Sequence, residues 1–300
     1  MQTNKITIIG SGNIGLAIFH LLKQNKQNKN IEIYDRDPLK NASGKSLKEC
    51  VTGADFIFLC IPSWVEEVVL LEVATCFKKG ATLISLSKGI TTTSRQSIDQ
   101  LIENDVKGAK YALLSGPMFA VEIRENKMAY GVLATKEKNT YNKIIKLFTG
   151  SKLRLEYHRD VHSVAISAVL KNIYTIFFGM IDSHGEKNNT KGYLAMRSIE
   201  EMVAIMKILK LDERVLLGTA GVGDFIATSY CEHSQNRKLG KELFEKGKTT
   251  FMSEGFVSIS SMFGMLGKKS QKLPIFSLLE RVIVNKKNPK KEIEKFLKEI

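Results

Sequence analysis

Apolar and polar positions alternate along this chain in two different rhythms. In the first half, short apolar runs are separated by stretches of helical spacing. Lys5–Ile9 reads as a buried strand, and Asn13 to about Gln24 has the spacing of an amphipathic helix. Ile31–Tyr34 is a second strand, Asp55–Cys60 (DFIFLC) a third, and Val65–Phe77 a second helix. Ala81–Leu86 and Tyr111–Leu114 continue the strands, with a helix expected at Ser94–Glu103 between them. Ala129–Ala134 and Leu153–Tyr157 extend the series. Strands that are apolar throughout and alternate with helices predict an α/β architecture, a doubly wound and mainly parallel sheet covered by helices on its faces. The segment 36–54 is short for a full strand–helix unit, so no further strand is assigned there.

From about Asp160 the strand signal stops. Helical patterns run over 161–182, 191–209, 236–246 and 275–284, separated by glycine and polar clusters. A chain of 300 residues is long for one core, and the change of rhythm puts the boundary of two domains at 159/160, the second all-α. Val161–Ile181 (VHSVAISAVLKNIYTIFFGMI) is apolar almost all the way round a helix, which predicts burial. It is about long enough to span a bilayer, but Lys171 near its centre costs roughly 2.5–3.5 kcal/mol on insertion scales, and a buried helix of a water-surrounded domain is preferred. A buried ammonium must find a partner or lose its proton, and either state suits acid–base chemistry. The bland alternative is a lysine that snorkels to the surface or pairs with a structural acid.

The first turn after the first strand changes that balance. Gly10, Gly12 and Gly15 form G-S-G-N-I-G, with Asn13 and Ile14 inside it, after a strand and at the start of a helix. Gly10 allows a tight turn, Gly12 lets a pyrophosphate approach the backbone, and Gly15 lets helix and strand pack closely. The helix start offers unpaired N–H groups and a positive dipole to the phosphates. Asp35 follows the second strand, where a carboxylate accepts hydrogen bonds from the adenosine ribose and repels a 2′-phosphate. That favours NAD, with NADP open because Arg36 stands next to it. The first domain, 1–159, is thus read as a Rossmann-type dinucleotide-binding domain and 160–300 as a helical substrate domain. Pro62 and Ser63 follow a strand terminus, where ligands cross such sheets, or they form a plain turn.

Composition narrows the class further. Hydrophobic content of 43% and charged content of 25% are ordinary for a globular protein. Cys50, Cys60, Cys76 and Cys231 show no metal or redox spacing and point to a reducing compartment. The opening residues pass directly into a strand and lack the long apolar segment of a signal peptide, so a cytoplasmic location is expected. None of the five histidines lies in a metal-ligand pattern, so no metal is assigned, and His162 reads as a helix-start residue. The formal charge of +14 fits an anionic substrate and cofactor. From Lys268 onward ten Lys/Arg face four Asp/Glu, but no aromatic–basic interleaving accompanies them and nucleic acid is not an expected partner.

Several segments together resemble the NAD(P)-dependent glycerol-3-phosphate dehydrogenase family. They are GSGNIG, CIPS at 60–63, LSKGI at 86–90, LSGPMFAVE at 114–122, VLKN at 169–172, GTAGVGDF at 218–225, HSQNRKLG at 233–240 and SEG at 253–255, in the family's order. The resemblance implies a Rossmann domain, a helical substrate domain, and interconversion of dihydroxyacetone phosphate and sn-glycerol 3-phosphate. It implies that Lys171 is the catalytic acid/base, that Lys88 contacts substrate and cofactor, and that Asp224 binds substrate or holds Lys171. It places Ser234, Gln235 and Asn236 at the substrate phosphate and Gly116, Met118 and Ala120 in the loop facing substrate and nicotinamide. It makes Gln235, Met252 and Glu254 cofactor contacts, with Pro62 and Ala120.

The chain departs from the family at some of these positions. Gln235 stands where Arg is usual, and an amide neither carries charge nor grips phosphate bidentately. Met118 replaces a small hydroxyl residue, Ile14 an aromatic one, and DSHGEKNN at 182–189 and MRS at 196–198 replace the family's DGLGxGxN and TRG. Arg237 or Lys238 is the candidate to take over the phosphate. The alternatives are a dehydrogenase of the same plan acting on another small hydroxy compound, or a catalytically weakened nucleotide sensor. The expected partners are a small anionic substrate and, at most, a second copy of the chain; no membrane-spanning role is expected.

Overall fold

The computed structural model describes residues 4–300. They divide into two compact units, one comprising residues up to Ser87 with Gln96–Ala165, the other Lys88–Arg95 with Ile166–Ile300.

The first unit is a seven-stranded sheet. Its strands are β1 (Lys5–Ile9), β2 (Asn30–Tyr34), β3 (Phe56–Leu59), β4 (Thr82–Ser85), β5 (Lys110–Ser115), β6 (Ala129–Ala134) and β7 (Leu153–His158). They lie in the order β2-β1-β3-β4-β5-β6-β7, all neighbours parallel except the antiparallel β5–β6 pair. The helices are α1 (Asn13–Lys23), α2 (Leu47–Val51), α3 (Ser63–Ala74), α4 (Ile98–Asp105), α5 (Ala120–Arg124) and α6 (Lys138–Leu147). Every residue of β3 and β4 is buried, which is why these strands are apolar without alternation. Ile9 stands opposite Tyr34 and Leu59, and Leu59 opposite Ser85, so β1 to β4 end in register. Gly10, Asp35, Cys60 and Leu86 therefore leave the sheet at one edge, where open α/β sheets bind ligands.

Segment 36–54 contributes only α2, started by a Ser46–Glu49 capping box, and β2 is left as an edge strand. Helix α4 starts at Ile98, four residues later than the sequence spacing predicts. Arg95 has φ of 54°, which a right-handed helix cannot include, and Ser97 with Gln100 forms the capping box that starts the helix.

The second unit is all-helical: α7 (Val161–His184, in which the division between units falls), α8 (Asn188–Ile208), α9 (Glu213–Leu216), α10 (Asp224–Tyr230), α11 (Gln235–Lys246), α12 (Glu254–Leu266), α13 (Pro274–Ile283) and α14 (Pro289–Glu299). A π-helical turn, Thr219–Gly223, leads into α10. Helix α7 is the axis of the core: Phe177 meets Phe178 and Phe296 edge to face, and Phe178 meets Phe225. By length and composition α7 qualifies as a membrane span, but the whole of its most apolar window is buried inside the protein.

Helix α12 carries only a weak periodic signal. Helix α12 (EGFVSISSMFGML) holds two glycines and three serines, poor helix formers. Tertiary contacts account for them. A Cβ on Gly255 would lie 2.4 Å from the Asn172 carbonyl oxygen, and Ser261 Oγ donates to Thr91 O at 2.9 Å. Helix α14 is short and mostly charged, anchored by Ile293 and Phe296 in the core.

Candidate functional site

At the end of β1 the glycines divide their tasks. Gly10 has φ of 99°, and a Cβ there would lie 2.5 Å from Cys60 O. A Cβ on Gly15 would lie 1.9 Å from Gly10 O, so only glycine lets α1 start this close to the strand. Gly12 is different: a Cβ there meets nothing within 4 Å. It is the N-cap of α1, which has no side-chain cap and no acidic residue in its first turn. Open space over uncapped N–H groups fits an anionic pyrophosphate. Asn13 and Ile14 open the helix beside this space, Asn13 exposed and Ile14 half-buried.

Asp35 is tied to the same turn. Its Oδ2 accepts from Ser11 N and Ser11 Oγ, each at 2.8 Å, and its Oδ1 from Asp37 N at 2.9 Å. Burial alone would raise its pKa; these bonds, led by the Ser11 N–H, outweigh burial and hold the carboxyl below its ordinary range. Arg36 is exposed. Pro62 is the N-cap of α3, one residue past Ile61, whose Cγ2 would meet a Cβ on Gly10 at 2.9 Å. After β5, at the same edge of the sheet, Gly116 has φ of 136° and a Cβ there would lie 2.7 Å from the Gly131 Cα, so it permits a close backbone crossing. Met118 is buried in the apolar core, its Sδ pointing at Gly131. Ala120 begins α5, which packs on α1.

The second unit holds a separate charged cluster. Asp224 is 2% exposed and its Oδ2 meets two ammonium groups, Lys88 Nζ at 2.7 Å and Lys171 Nζ at 3.1 Å. Lys171 Nζ also donates to Thr228 Oγ1 at 3.1 Å, and Thr228 Oγ1 donates to Asp224 Oδ1 at 3.1 Å. Lys171 is 5% exposed. Burial, partly opposed by the Asp224 charge and reinforced by the Lys88 charge, lowers its pKa to about 8. Glu254 adds a weaker opposing attraction. Burial would raise Asp224, but the Lys171 and Lys88 charges outweigh it and hold the carboxylate low. The result is an ionised carboxylate and a lysine whose proton is exchangeable near neutrality, the pairing that proton transfer needs. Asp224 stands in the first turn of α10, yet its side chain is given to the cluster rather than to helix capping.

Asparagines fix the backbone around these side chains. Asn172 Nδ2 donates to Lys88 O at 3.1 Å, Asn236 Nδ2 donates to Asn172 Oδ1 at 2.9 Å, and Gly255 N donates to Asn236 Oδ1 at 3.0 Å. Lys88, Lys171, Asp224, Asn236 and Glu254 are thus brought together through α7, α10, α11 and α12. Ser234 is buried and caps α11, accepting from Arg237 N at 3.2 Å. Gln235 and Met252 are exposed. Arg237 Nε is paired with Asp182, which Lys191 also meets at 2.5 Å, while its buried Nη1 has no hydrogen-bond partner among the described residues. Lys238 is exposed.

Sequence reading passed over Ser11 and Thr228. Thr228 was findable, because it lies four residues after Asp224 and hence on the same helix face. Ser11 carried no signal beyond its place between two glycines. His162 is the second residue of α7 and its Nδ1 lies 2.8 Å from Asp99 Oδ2, in the first unit. Among the described residues no group of His, Cys, Asp and Glu has the composition of a metal site.

Comparison with known proteins gives a consistent result. Models of the N-terminus and the C-terminus of NAD-dependent glycerol-3-phosphate dehydrogenase match residues 42–141 and 160–294. A glycerol-3-phosphate dehydrogenase (NAD(P)+) of Clostridium tetani is 27% identical over 94% of this chain and 89% of its own. A chloroplastic glycerol-3-phosphate dehydrogenase (NAD(+)) of Arabidopsis thaliana is 24% identical over 97% of this chain and 77% of its own. The crystal structure of glycerol-3-phosphate dehydrogenase from Coxiella burnetii superposes with a TM-score of 0.88, at 20% identity, covering 98% of this chain and 99% of that one.

Proposed function

This chain belongs to the NAD-dependent glycerol-3-phosphate dehydrogenase family, and we propose that it interconverts dihydroxyacetone phosphate and sn-glycerol 3-phosphate with NAD(P) as redox partner. The observation that carries the reading is the pair of lysines on one buried carboxylate, with Lys171 set near pH 8. When bound, the nicotinamide cofactor supplies a hydride to the ketone carbon or takes one from the alcohol carbon. As the ketone is reduced, charge develops on its oxygen. Lys171 stabilises that charge and hands over its proton; in the other direction its neutral amine takes the proton from the hydroxyl. Asp224 orients Lys171 and keeps a compensating charge beside it. Lys88 presents a second ammonium to the anionic substrate and the cofactor.

In this reading the first domain, 1–159, holds the cofactor and the second, 160–300, the substrate. The turn Gly10–Gly15 holds the pyrophosphate, and Asp35 the adenosine ribose, which gives NAD preference over NADP. Pro62, Ala120, Met252 and Glu254 complete the cofactor contacts. Ser234, Gln235 and Asn236 are assigned to the substrate phosphate, and Gly116 and Met118 to the first unit's loop on the substrate side. The four free cysteines fit a cytoplasmic location, and a homodimer is the proposed assembly.

Oxidation of NADH and NADPH, followed spectrophotometrically with dihydroxyacetone phosphate, dihydroxyacetone and a panel of 2-keto acids, tests this. Fast turnover with dihydroxyacetone phosphate and NADH is expected. Turnover of a keto acid but not of dihydroxyacetone phosphate would refute the substrate, and tighter NADPH than NADH binding in a direct titration would refute the role of Asp35.

A further inference from the structure

Glu66 is a carboxyl in a place where the fold asks for a hydrocarbon. It lies on the inner face of α3 and is 0% exposed. An apolar side chain there would fill the same space with no desolvation penalty. Glu66 Oε1 accepts from Ser85 Oγ at 2.6 Å, and Ser85 is the last residue of β4. Ser85 Oγ in turn accepts from Ser87 N at 3.2 Å, and Ser87 Oγ donates to Ile61 O at 2.6 Å. The chain of bonds therefore starts at Glu66, reaches the residue just before Lys88, and closes on the turn after β3. The Cys60 thiol registers the same carboxylate: burial, and then the Glu66 charge, push it well above the ordinary thiol range.

Lys88 is the residue whose placement this chain governs. It follows Ser87 directly, and its own carbonyl is held by Asn172. Its ammonium is one of the two charges that set Lys171, since the Lys88 charge lowers the Lys171 pKa. We propose that Glu66 is a positioning residue for Lys88. Through Ser85 it fixes the backbone from which Lys88 departs, and so holds the Lys88 ammonium against Asp224. The role rests on the reading of Lys88 and Lys171 given above. Without the tether Lys88 drifts from Asp224, Lys171 loses a like charge and a competitor for the carboxylate, and its pKa rises.

The test compares Ser85→Ala, Glu66→Leu and Glu66→Gln with the unaltered chain. Two readouts are taken: kcat/KM for dihydroxyacetone phosphate across pH, and the pH midpoint of Lys171 acylation by acetic anhydride, mapped by peptide mass spectrometry. For Ser85→Ala and Glu66→Leu we expect kcat/KM to fall about tenfold. The Lys171 midpoint should climb by about half a pH unit or more. Glu66→Gln keeps an acceptor for Ser85 and should stay within about threefold on the first readout, with the midpoint unchanged. Ser85→Ala guards against misfolding of the Glu66 variants, because it removes one hydroxyl and leaves the packing in place. A folded Ser85→Ala with an unchanged Lys171 midpoint would overturn the proposal, whatever its stability. Failure of the unaltered chain to reduce dihydroxyacetone phosphate would refute the functional reading instead, and the acylation midpoint still decides the tether.

Discussion

Lys171 is held in its charged form against its surroundings. Lowering its pKa from the usual 10.5 to about 8 corresponds to about 3 kcal/mol acting against the ammonium in the folded state. The sign follows from linkage. Between pH 8 and 10.5 the unfolded chain binds more protons at this site, so stability rises with pH through that window. Below it the full penalty applies. Lys171→Met should therefore raise stability by about 1–3 kcal/mol at pH 7, since Lys88 still pairs Asp224, and the gain should vanish towards pH 10.5. Denaturant melts at the two pH values check this. The same variant should lose ~10²–10⁴ in kcat while still binding NADH. Gln235 opens α11. It is exposed, beside the buried Ser234 and Asn236. Gln235→Arg should improve kcat/KM for dihydroxyacetone phosphate by about tenfold, since a charge-assisted hydrogen bond contributes about 1.5–3 kcal/mol and part is lost to ordering. Steady-state assays should show no such gain with dihydroxyacetone, which lacks the phosphate. At this scale Lys171 was legible because a lone charge in an apolar helix stands out. The partnership of Lys88 with Asp224 was not, because the two lie 136 positions apart and neither is unusual in its own segment.

Among the elements, the ones that build the cluster are joined by a polar bridge rather than by apolar packing alone. Asn236 on α11 bonds Asn172 on α7 and the first turn of α12 through Gly255 N. Asn236→Ala would take the partner from the buried Asn172 Oδ1 and the buried Gly255 N–H. It should cost about 2–4 kcal/mol of stability and lower kcat, because Asn172 also holds the Lys88 carbonyl. Thermal unfolding and initial-rate measurements on the one variant separate the two effects. The strands and most long helices were readable, since strands buried on both faces and helices with one apolar face leave periodic marks. Helix α12 left only a weak one: its glycines and serines are there for contacts with Asn172, Arg95 and Thr91, which only the folded chain supplies. Helix α4 starts later than its spacing suggests, because the positive φ of Arg95 has no signature in composition.

For the molecule as a whole, the fold class was within reach of the sequence and the comparisons with known proteins agree with it; the glycine turn after β1 and the buried Lys171 were also legible. The electrostatic setting was not, because it depends on how deeply Lys171 is buried and on which charges surround it. In the proposed reaction one lysine, tuned by burial, Asp224 and Lys88, moves the proton in both directions. The most direct measurement is the pH dependence of kcat/KM in both directions, with dihydroxyacetone phosphate and NADH and with sn-glycerol 3-phosphate and NAD. Reduction should fall as pH rises through about 8, where Lys171 loses its proton, and oxidation should rise through the same value. Profiles flat from pH 7 to 9 in both directions, or limbs that persist unchanged in Lys171→Met, would contradict this role of Lys171.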